Sequence, residues 1–160
     1  MKVSDLFGRA GIKFSANTMD NGESRFRMMA QDGSGYIRTV AGANGAWQNA
    51  HYHVGVMETY VIQTGWMGLV SSEQLSNGTM NMRVKVYLPG KVVTTRPRLE
   101  HNVYMPQGAV IHTVKHGVEV QNPEKGADWY PAGKIFNAWS KGLSEADLHE
   151  LNGQLLHKEL

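Results

Sequence analysis

Residues 45–65 read GAWQNAHYHVGVMETYVIQTG and contain two histidines and a glutamate, His51, His53 and Glu58. Side chains at positions i and i+2 of a strand point to the same face, so the two imidazoles lie about 7 Å apart along that face. A hairpin turn through residues 54–57, which include Gly55, can bring Glu58 back beside them. Two imidazoles and one carboxylate on one face can hold a divalent metal such as Fe, Mn, Ni or Zn and leave positions open.

A second segment, residues 90–105, places Gly90 and His101 11 residues apart. The first segment matches the cupin motif G(X)5HXH(X)4E(X)6G at every fixed position. The second resembles the other cupin motif, G(X)5PXG(X)2H(X)3N, at Gly90 and His101. It departs from that motif where Arg96, Arg98 and Met105 replace its proline, glycine and asparagine.

The chain therefore resembles the small, single-domain, metal-binding cupins of the RmlC-like jelly-roll type. This resemblance implies an all-β fold, the double-stranded β-helix or jelly-roll barrel. It also implies one divalent transition metal (Fe, Mn, Zn or Ni) bound by His51, His53, Glu58 and His101. A homodimer is a further expectation from the family.

Composition narrows the class of protein. The chain has 160 residues, 41% of them hydrophobic and 19% charged, with a net charge of +2, which predicts one globular domain. No basic run predicts a nucleic-acid partner, and no apolar run is long enough to predict a membrane span. The chain has no cysteine, so a metal site must use nitrogen and oxygen ligands. Without an N-terminal signal-peptide pattern, the expected location is the cytoplasm.

Short strands separated by glycine turns account for most of the predicted elements. Asn77-Gly78 is a hairpin signal between two of them. The predicted strands cover residues 24–29, 36–40, 47–54, 58–63, 66–71, 81–88, 92–95, 102–105 and 110–114, with those at 47–54 and 58–63 forming a hairpin. We interpret the whole chain, 1–160, as one cupin domain with a barrel core of about 24–120.

The C-terminal segment is predicted to be helical over about 144–157. Ser144 is the expected N-cap, and Leu143 and Leu148 occupy the positions of a hydrophobic staple. Leu148, Leu151 and Leu155 then recur as one apolar stripe. This pattern predicts a helix that packs on the outside of the barrel or on a partner subunit.

Catalysis by such a site requires a proton-transfer group beside the metal. The catalytic candidates are His112 and Tyr60. If Gln107 and Gly108 form a two-residue hairpin loop, His112 faces inward with His101, whereas a three-residue loop turns Thr113 inward instead. The first alternative is preferred, and Lys115 and His116 are interpreted as solvated strand-end residues.

Four further side chains are candidates for binding the substrate. Arg96 and Arg98 can bind a phosphate or carboxylate group. Trp47 can stack on a sugar ring, although a packed barrel aromatic is the alternative, and Tyr104 is a further polar candidate.

The preferred function is that of a metal-dependent enzyme acting on a small polar metabolite, by isomerisation or epimerisation of a sugar or sugar phosphate. A non-haem iron dioxygenase with the same ligands is an alternative, because ligand types alone do not fix the reaction. A cupin that binds a metal or a sugar without turnover is the third possibility.

Overall fold

The computed structural model describes residues 8, 11–117 and 128–159. Thirteen strands and two short helices form within these residues. The strands are β1 (Lys13–Thr18), β2 (Ser24–Met29), β3 (Gly35–Val40), β4 (Ala46–Trp47), β5 (His51–Tyr52), β6 (Met57–Thr64), β7 (Met67–Gln74), β8 (Thr79–Tyr87), β9 (Val92–Thr95), β10 (Glu100–Met105), β11 (Val110–His116), β12 (Tyr130–Pro131) and β13 (Leu155–Glu159). The helices are α1 (Lys134–Lys141) and α2 (Glu145–Glu150).

The strands form two antiparallel sheets, which confirms the predicted all-β jelly roll. The first sheet has the order β1-β2-β3-β11-β6-β9, and the second has the order β12-β5-β10-β7-β8-β13, with β4 also paired to β10. The hairpin predicted at Asn77-Gly78 is present, because β7 and β8 pair and Gly78 has a positive φ of 81°.

The other predicted hairpin is wrong. β5 pairs with β10 and β12 in the second sheet, whereas β6 pairs with β11 and β9 in the first. Residues 53–56 therefore cross from one sheet to the other. Histidines from the second sheet can then face Glu58 from the first across the barrel interior.

The hydrophobic core has two parts, one on each side of the second sheet. Inside the barrel, alternate residues of both sheets meet; this cluster contains Tyr60, Ile62, Met67, Leu69, Val103, Met105, Ala109 and Ile111. Outside the sheet, Phe136 of α1 and Leu148 of α2 are fully buried against Val70 and Val84. Burial of these apolar side chains holds both helices on the barrel.

The C-terminal prediction is correct at its start and wrong beyond residue 150. Ser144 is the N-cap of α2, with Asp147 completing a reciprocal capping box. The helix ends at Glu150, and a turn containing Gly153 (φ 87°) leads into β13, which pairs with β8 from Leu155 onwards. The predicted helix of 144–157 is thus one short helix followed by an edge strand, and α1 was not predicted.

Two glycines of the first motif have a steric role at the ends of the metal-site segment. Gly45 and Gly65 have positive φ values of 65° and 71°. A Cβ at Gly45 would lie 2.8 Å from the hydroxyl of Tyr104, and one at Gly65 would lie 2.9 Å from Ala109. The motif therefore preserves two backbone positions that another residue would strain.

Candidate metal centre

Four side chains converge inside the barrel, and they are the four that the motifs predict. His51 lies on β5 and is paired in register with His101 on β10, His53 follows directly after β5, and Glu58 lies on β6 of the opposite sheet. All four residues are buried, and one ligand atom from each lies within 4.8 Å of the others. Two ligands at about 2.1 Å on opposite sides of a metal would be about 4.2 Å apart, so the cluster needs only a small contraction to bind an ion.

The orientation of the imidazole rings is fixed by the main chain. In each ring, Nδ1 donates a hydrogen bond to a carbonyl oxygen. The acceptors are the carbonyl oxygens of Asn49 for His51 (2.8 Å), of Leu99 for His101 (2.8 Å) and of Asp128 for His53. Because a carbonyl oxygen only accepts, each Nδ1 carries the hydrogen, and each Nε2 of a neutral ring presents a lone pair to the barrel interior.

These lone pairs face the carboxylate of Glu58. Its Oε2 atom lies 3.6, 3.0 and 3.1 Å from the Nε2 atoms of His51, His53 and His101. Four acceptor atoms at such distances require a positive charge among them, either extra protons on the rings or a metal ion. Among the described residues, Nε2 of His53 is buried without a hydrogen-bond donor or acceptor, which also indicates a missing ligand. The residues present therefore fit a divalent metal.

The pKa directions of His51 and Glu58 are consistent with a metal at this position. Burial lowers the pKa of His51, although the Glu58 carboxylate opposes this effect. Burial alone would raise the pKa of Glu58, but its interactions with the three histidines and the Lys115 ammonium outweigh burial and hold that pKa well below its ordinary value. An ionised Glu58 carboxylate beside a His51 imidazole that resists protonation fits the charge state that a divalent metal requires.

Asp128 and Trp129 close one side of this cluster. The Asp128 carboxylate accepts hydrogen bonds from the backbone N–H groups of Val54, Gly55 and Val56 (2.9, 2.6 and 3.0 Å), while its carbonyl oxygen orients His53. The indole of Trp129 stacks on the His51 ring, with ring centroids 5.5 Å apart. Sequence reasoning gave Asp128 no role.

The gap between β4 and β5 is held by helix α1. The amide oxygen of Asn137 accepts from the N–H of Ala50 (2.9 Å), and the Lys141 ammonium donates to the side-chain oxygen of Asn49 (2.6 Å). Since the carbonyl of Asn49 orients His51, α1 positions one metal ligand through the backbone.

Two proton-bearing groups contact the Glu58 carboxylate from the first sheet. The hydroxyl of Tyr60 donates to Oε2 at 2.6 Å and lies 3.2 Å from Nε2 of His101. The ammonium of Lys115 lies 3.4 Å from Oε1, although its side chain is only 8% exposed. Burial and the adjacent carboxylate raise the pKa of Tyr60 well above its ordinary value, so this hydroxyl keeps its proton.

A cavity of about 730 Å³ opens beside these groups, and His51, Glu58, Tyr60 and Lys115 contribute to its wall. Ligand cavities commonly enclose about 300–1,000 Å³, so this one has the size of a small-molecule site.

The prediction that His112 faces this cavity is wrong. β10 and β11 belong to different sheets, so the turn at 106–109 is a crossover and the hairpin parity argument does not apply. Thr113 and Lys115 face the interior, as the alternative reading expected for Thr113. His112 lies on the outer face, where its ring nitrogens contact the Tyr36 hydroxyl (2.7 Å) and Gln63 Oε1 (2.6 Å).

Neither Arg96 nor Arg98 lines this cavity. Arg96 is exposed and forms an ion pair with Glu73 (2.7 Å) beside a separate, smaller cavity. Arg98 is exposed, and only its backbone approaches the site, where its N–H donates to the carbonyl of His53 (2.6 Å). Its φ of 64° lies in the left-handed region that favours glycine, the residue that the motif has at this position.

The two aromatic candidates have different outcomes. Tyr104 faces the helices, where its hydroxyl donates to Glu145 (2.7 Å), so it does not contribute to the cavity wall. Trp47 does line the cavity, while its indole N–H donates to the carbonyl of Leu143 (3.0 Å).

Sequence reasoning missed Arg25 and Arg27, which line the cavity. The interpretation of Lys115 as a solvated strand-end residue is wrong, because Lys115 is buried and lines the same cavity. The alternation of side chains along a strand could have identified these residues. Lys115 shares the parity of Thr113, and Arg25 and Arg27 share one face of β2.

Comparisons with known proteins identify the fold. No protein-family model matches the sequence, and no curated protein sequence matches it significantly. Among solved structures, the capsular polysaccharide assembling protein CapF of Staphylococcus aureus is similar over 74% of this chain (TM-score 0.50, 17% identity). Oxalate decarboxylase of Bacillus subtilis is similar over 92% of it (TM-score 0.56, 12% identity). A structure of Drosophila melanogaster CENP-C bound to CAL1 matches 64% of this chain and 76% of its own (TM-score 0.50, 9% identity).

The chain spans only 34% of the CapF chain and 40% of the oxalate decarboxylase chain. At these identities the similarity establishes a shared fold. Within the part of the chain that the structure describes, no helix is long and apolar enough to cross a membrane.

Proposed function

We propose that this chain, which has the cupin fold and a buried cluster that fits a divalent metal, is a metal-dependent enzyme acting on a small polar metabolite. The observation that carries the proposal is the convergence of three imidazole lone pairs on the Glu58 carboxylate beside a cavity of about 730 Å³. A structural metal site is normally closed by its protein ligands, whereas His51 and Glu58 border open space.

Isomerisation or epimerisation of a sugar or sugar phosphate is the preferred reaction. When bound, a divalent metal would polarise a substrate oxygen and stabilise negative charge that develops on it. Such a reaction moves a proton between positions of the same substrate and needs no oxidant or reductant. Lys115 replaces His112 as the candidate for proton transfer at the cavity wall, and the Tyr60 hydroxyl, which keeps its proton, is a candidate hydrogen-bond donor.

Each of these residues has a role that its contacts support. Glu58 binds the metal and holds Tyr60 and Lys115 through its two oxygens. The Lys115 ammonium is held inside the barrel by this contact and can donate a hydrogen bond to a substrate oxygen. Trp47 and Trp129 contribute apolar wall on which a sugar ring can pack.

Metal content of the protein purified without chelators or an affinity tag, measured by elemental mass spectrometry, tests the proposal. We expect close to one Fe, Mn, Zn or Ni per chain and metal-dependent conversion in a panel of aldoses, ketoses and their phosphates. Turnover that requires dioxygen, with iron bound, would instead establish the dioxygenase. Failure to take up any of these metals on reconstitution would refute a metal-dependent function.

A further inference from the structure

The inner face of β2 carries two arginines that the metal site does not use. Arg25 and Arg27 both line the cavity, while Phe26 between them is on the outer face. Across the sheet, Arg27 pairs with Ile37, which pairs with Thr113, which pairs with Tyr60. The backbone of Arg27 is thus three strands from that of Tyr60, or about 14 Å.

The two arginines differ in their charge partners. Arg25 donates two hydrogen bonds to Oε2 of Glu23 (2.9 and 2.5 Å), and Glu23 is fully buried and also accepts from Gln48. This ion pair neutralises Arg25 and fixes its position. For Arg27, the contact found among the described residues is with the Met19 sulfur (3.4 Å), which is a weak acceptor, and no described carboxylate lies within ion-pair distance.

The environment of Arg27 is therefore short of negative charge. Burial lowers the pKa of its guanidinium and the neighbouring Arg25 lowers it further, while the Glu23 carboxylate, which is paired with Arg25, opposes them only in part. The cavity wall also includes the cations Lys115 and Lys141, against the carboxylates of Asp20 and Glu58. A divalent metal adds two positive charges at the cluster, so the loaded cavity carries an excess of positive charge.

We propose that the cavity binds a small metabolite with an oxyanion group, a carboxylate or a phosphate, which Arg27 holds while another part of the molecule lies against the metal cluster. This assignment of a substrate class rests on the proposed function of the same site. The guanidinium presents several donors in one plane, which suits both kinds of oxyanion, and Arg25 borders the same space. Thr39 and Thr113, both buried, form part of the wall between the arginines and Tyr60.

Isothermal titration calorimetry with inorganic phosphate and with malonate, at constant ionic strength, tests this inference. It is run on metal-loaded protein and on protein stripped by a chelator and then desalted. The variants are Arg27→Gln and Arg27→Lys. The control is Arg38→Gln, which removes the same charge from an exposed position on the outer face of the adjacent strand β3. A thermal melt of each variant shows that it is folded.

We expect at least one of the two anions to bind the wild-type protein and Arg27→Gln to weaken that binding about 10- to 100-fold, as for loss of a charged hydrogen bond. Arg27→Lys should retain part of the affinity, and Arg38→Gln should match the wild type. Stronger binding of phosphate than malonate, or the reverse, identifies which oxyanion the subsite prefers. A preference for either anion supports the inference.

The inference is overturned if neither anion binds the wild-type protein, or if Arg27→Gln and Arg38→Gln bind as the wild type does. Measurement on stripped protein separates this result from failure of the proposed function. Loss of binding in Arg27→Gln without metal supports the anion subsite even if the protein takes up no metal. Normal metal uptake without anion binding refutes the subsite alone.

Discussion

The Asp128 carboxylate provides a quantitative test of how the metal site is built. In metal-free protein, Asp128→Ala removes three acceptor contacts to the backbone at 54–56. Val56 is buried, so its N–H loses a charged hydrogen bond that stabilises by about 1.5–3 kcal/mol. Val54 and Gly55 are half-buried, so water replaces part of their loss. We therefore expect a destabilisation of about 3 kcal/mol.

For a chain of this length, that loss lowers Tm by roughly 6–12 °C. Differential scanning calorimetry of metal-free wild type and Asp128→Ala measures it. Asp32→Ala is the control, because Asp32 is an exposed aspartate that accepts from the backbone N–H and the hydroxyl of Ser34 within one turn, and its loss should cost less than about 1 kcal/mol. Equal Tm values for Asp128→Ala and Asp32→Ala would refute the anchoring role.

The same variant reports on the metal ligands. Asp128→Ala leaves the main-chain carbonyl that orients His53 in place but frees the segment that follows His53. Removal of outer-shell partners weakens metal binding by about 10- to 100-fold, and we expect a loss in this range by competition with a chromophoric chelator. Unchanged metal affinity in a destabilised variant would show that the segment supports the fold but not the site.

Other residues give further predictions. His51→Ala should lose most of the bound metal while staying folded, whereas His112→Ala should keep it; elemental analysis of both variants decides. Arg98→Gly should raise stability by about 0.5–1 kcal/mol in thermal unfolding, because glycine relieves the left-handed strain, and a lower Tm would contradict this. The stability of metal-free protein should fall as pH drops below about 6.5, because burial lowers the pKa of His51 and the unfolded chain binds that proton first. It should fall again below about 4.5, because the pKa of Glu58 is lower in the folded protein than in the unfolded chain. A flat Tm between pH 7 and 4 would refute both assignments. The homodimer expected from the family remains a prediction for light scattering.

The metal cluster could be predicted because its spacing encodes its geometry. His51 and His53 need only strand alternation to share a face, and Gly45 and Gly65 mark backbone positions that exclude a side chain. The sheet that each strand joins is not encoded in this way. The crossover before Glu58 produced the same set of ligands as a hairpin would, so the error did not affect the site.

The crossover after β10 did affect the predicted site, because it places His112 on the outer face of the barrel. The pattern of polar and apolar residues on β2 also did not reveal the cavity. Arginines that alternate with Phe26 normally indicate a solvated face opposite a core face, yet here the arginines line a cavity inside the barrel and Phe26 is 38% exposed. At the C-terminus, Asn152-Gly153 is a turn signal, and the helix does end before it. The prediction followed the leucine stripe instead and extended the helix past this turn.

The orientation of the metal ligand His51 depends on helix α1, which contributes no ligand itself. Asn137 and Lys141 hold the backbone whose carbonyl orients His51, so local unfolding of α1 releases that ring. Opening of the helix and dissociation of the metal are then linked equilibria, and a ligand that binds one state of α1 changes metal affinity by the same factor by which the metal changes the affinity for that ligand. The outer surface of the barrel and its interior are in this way thermodynamically coupled through a three-residue gap between two strands.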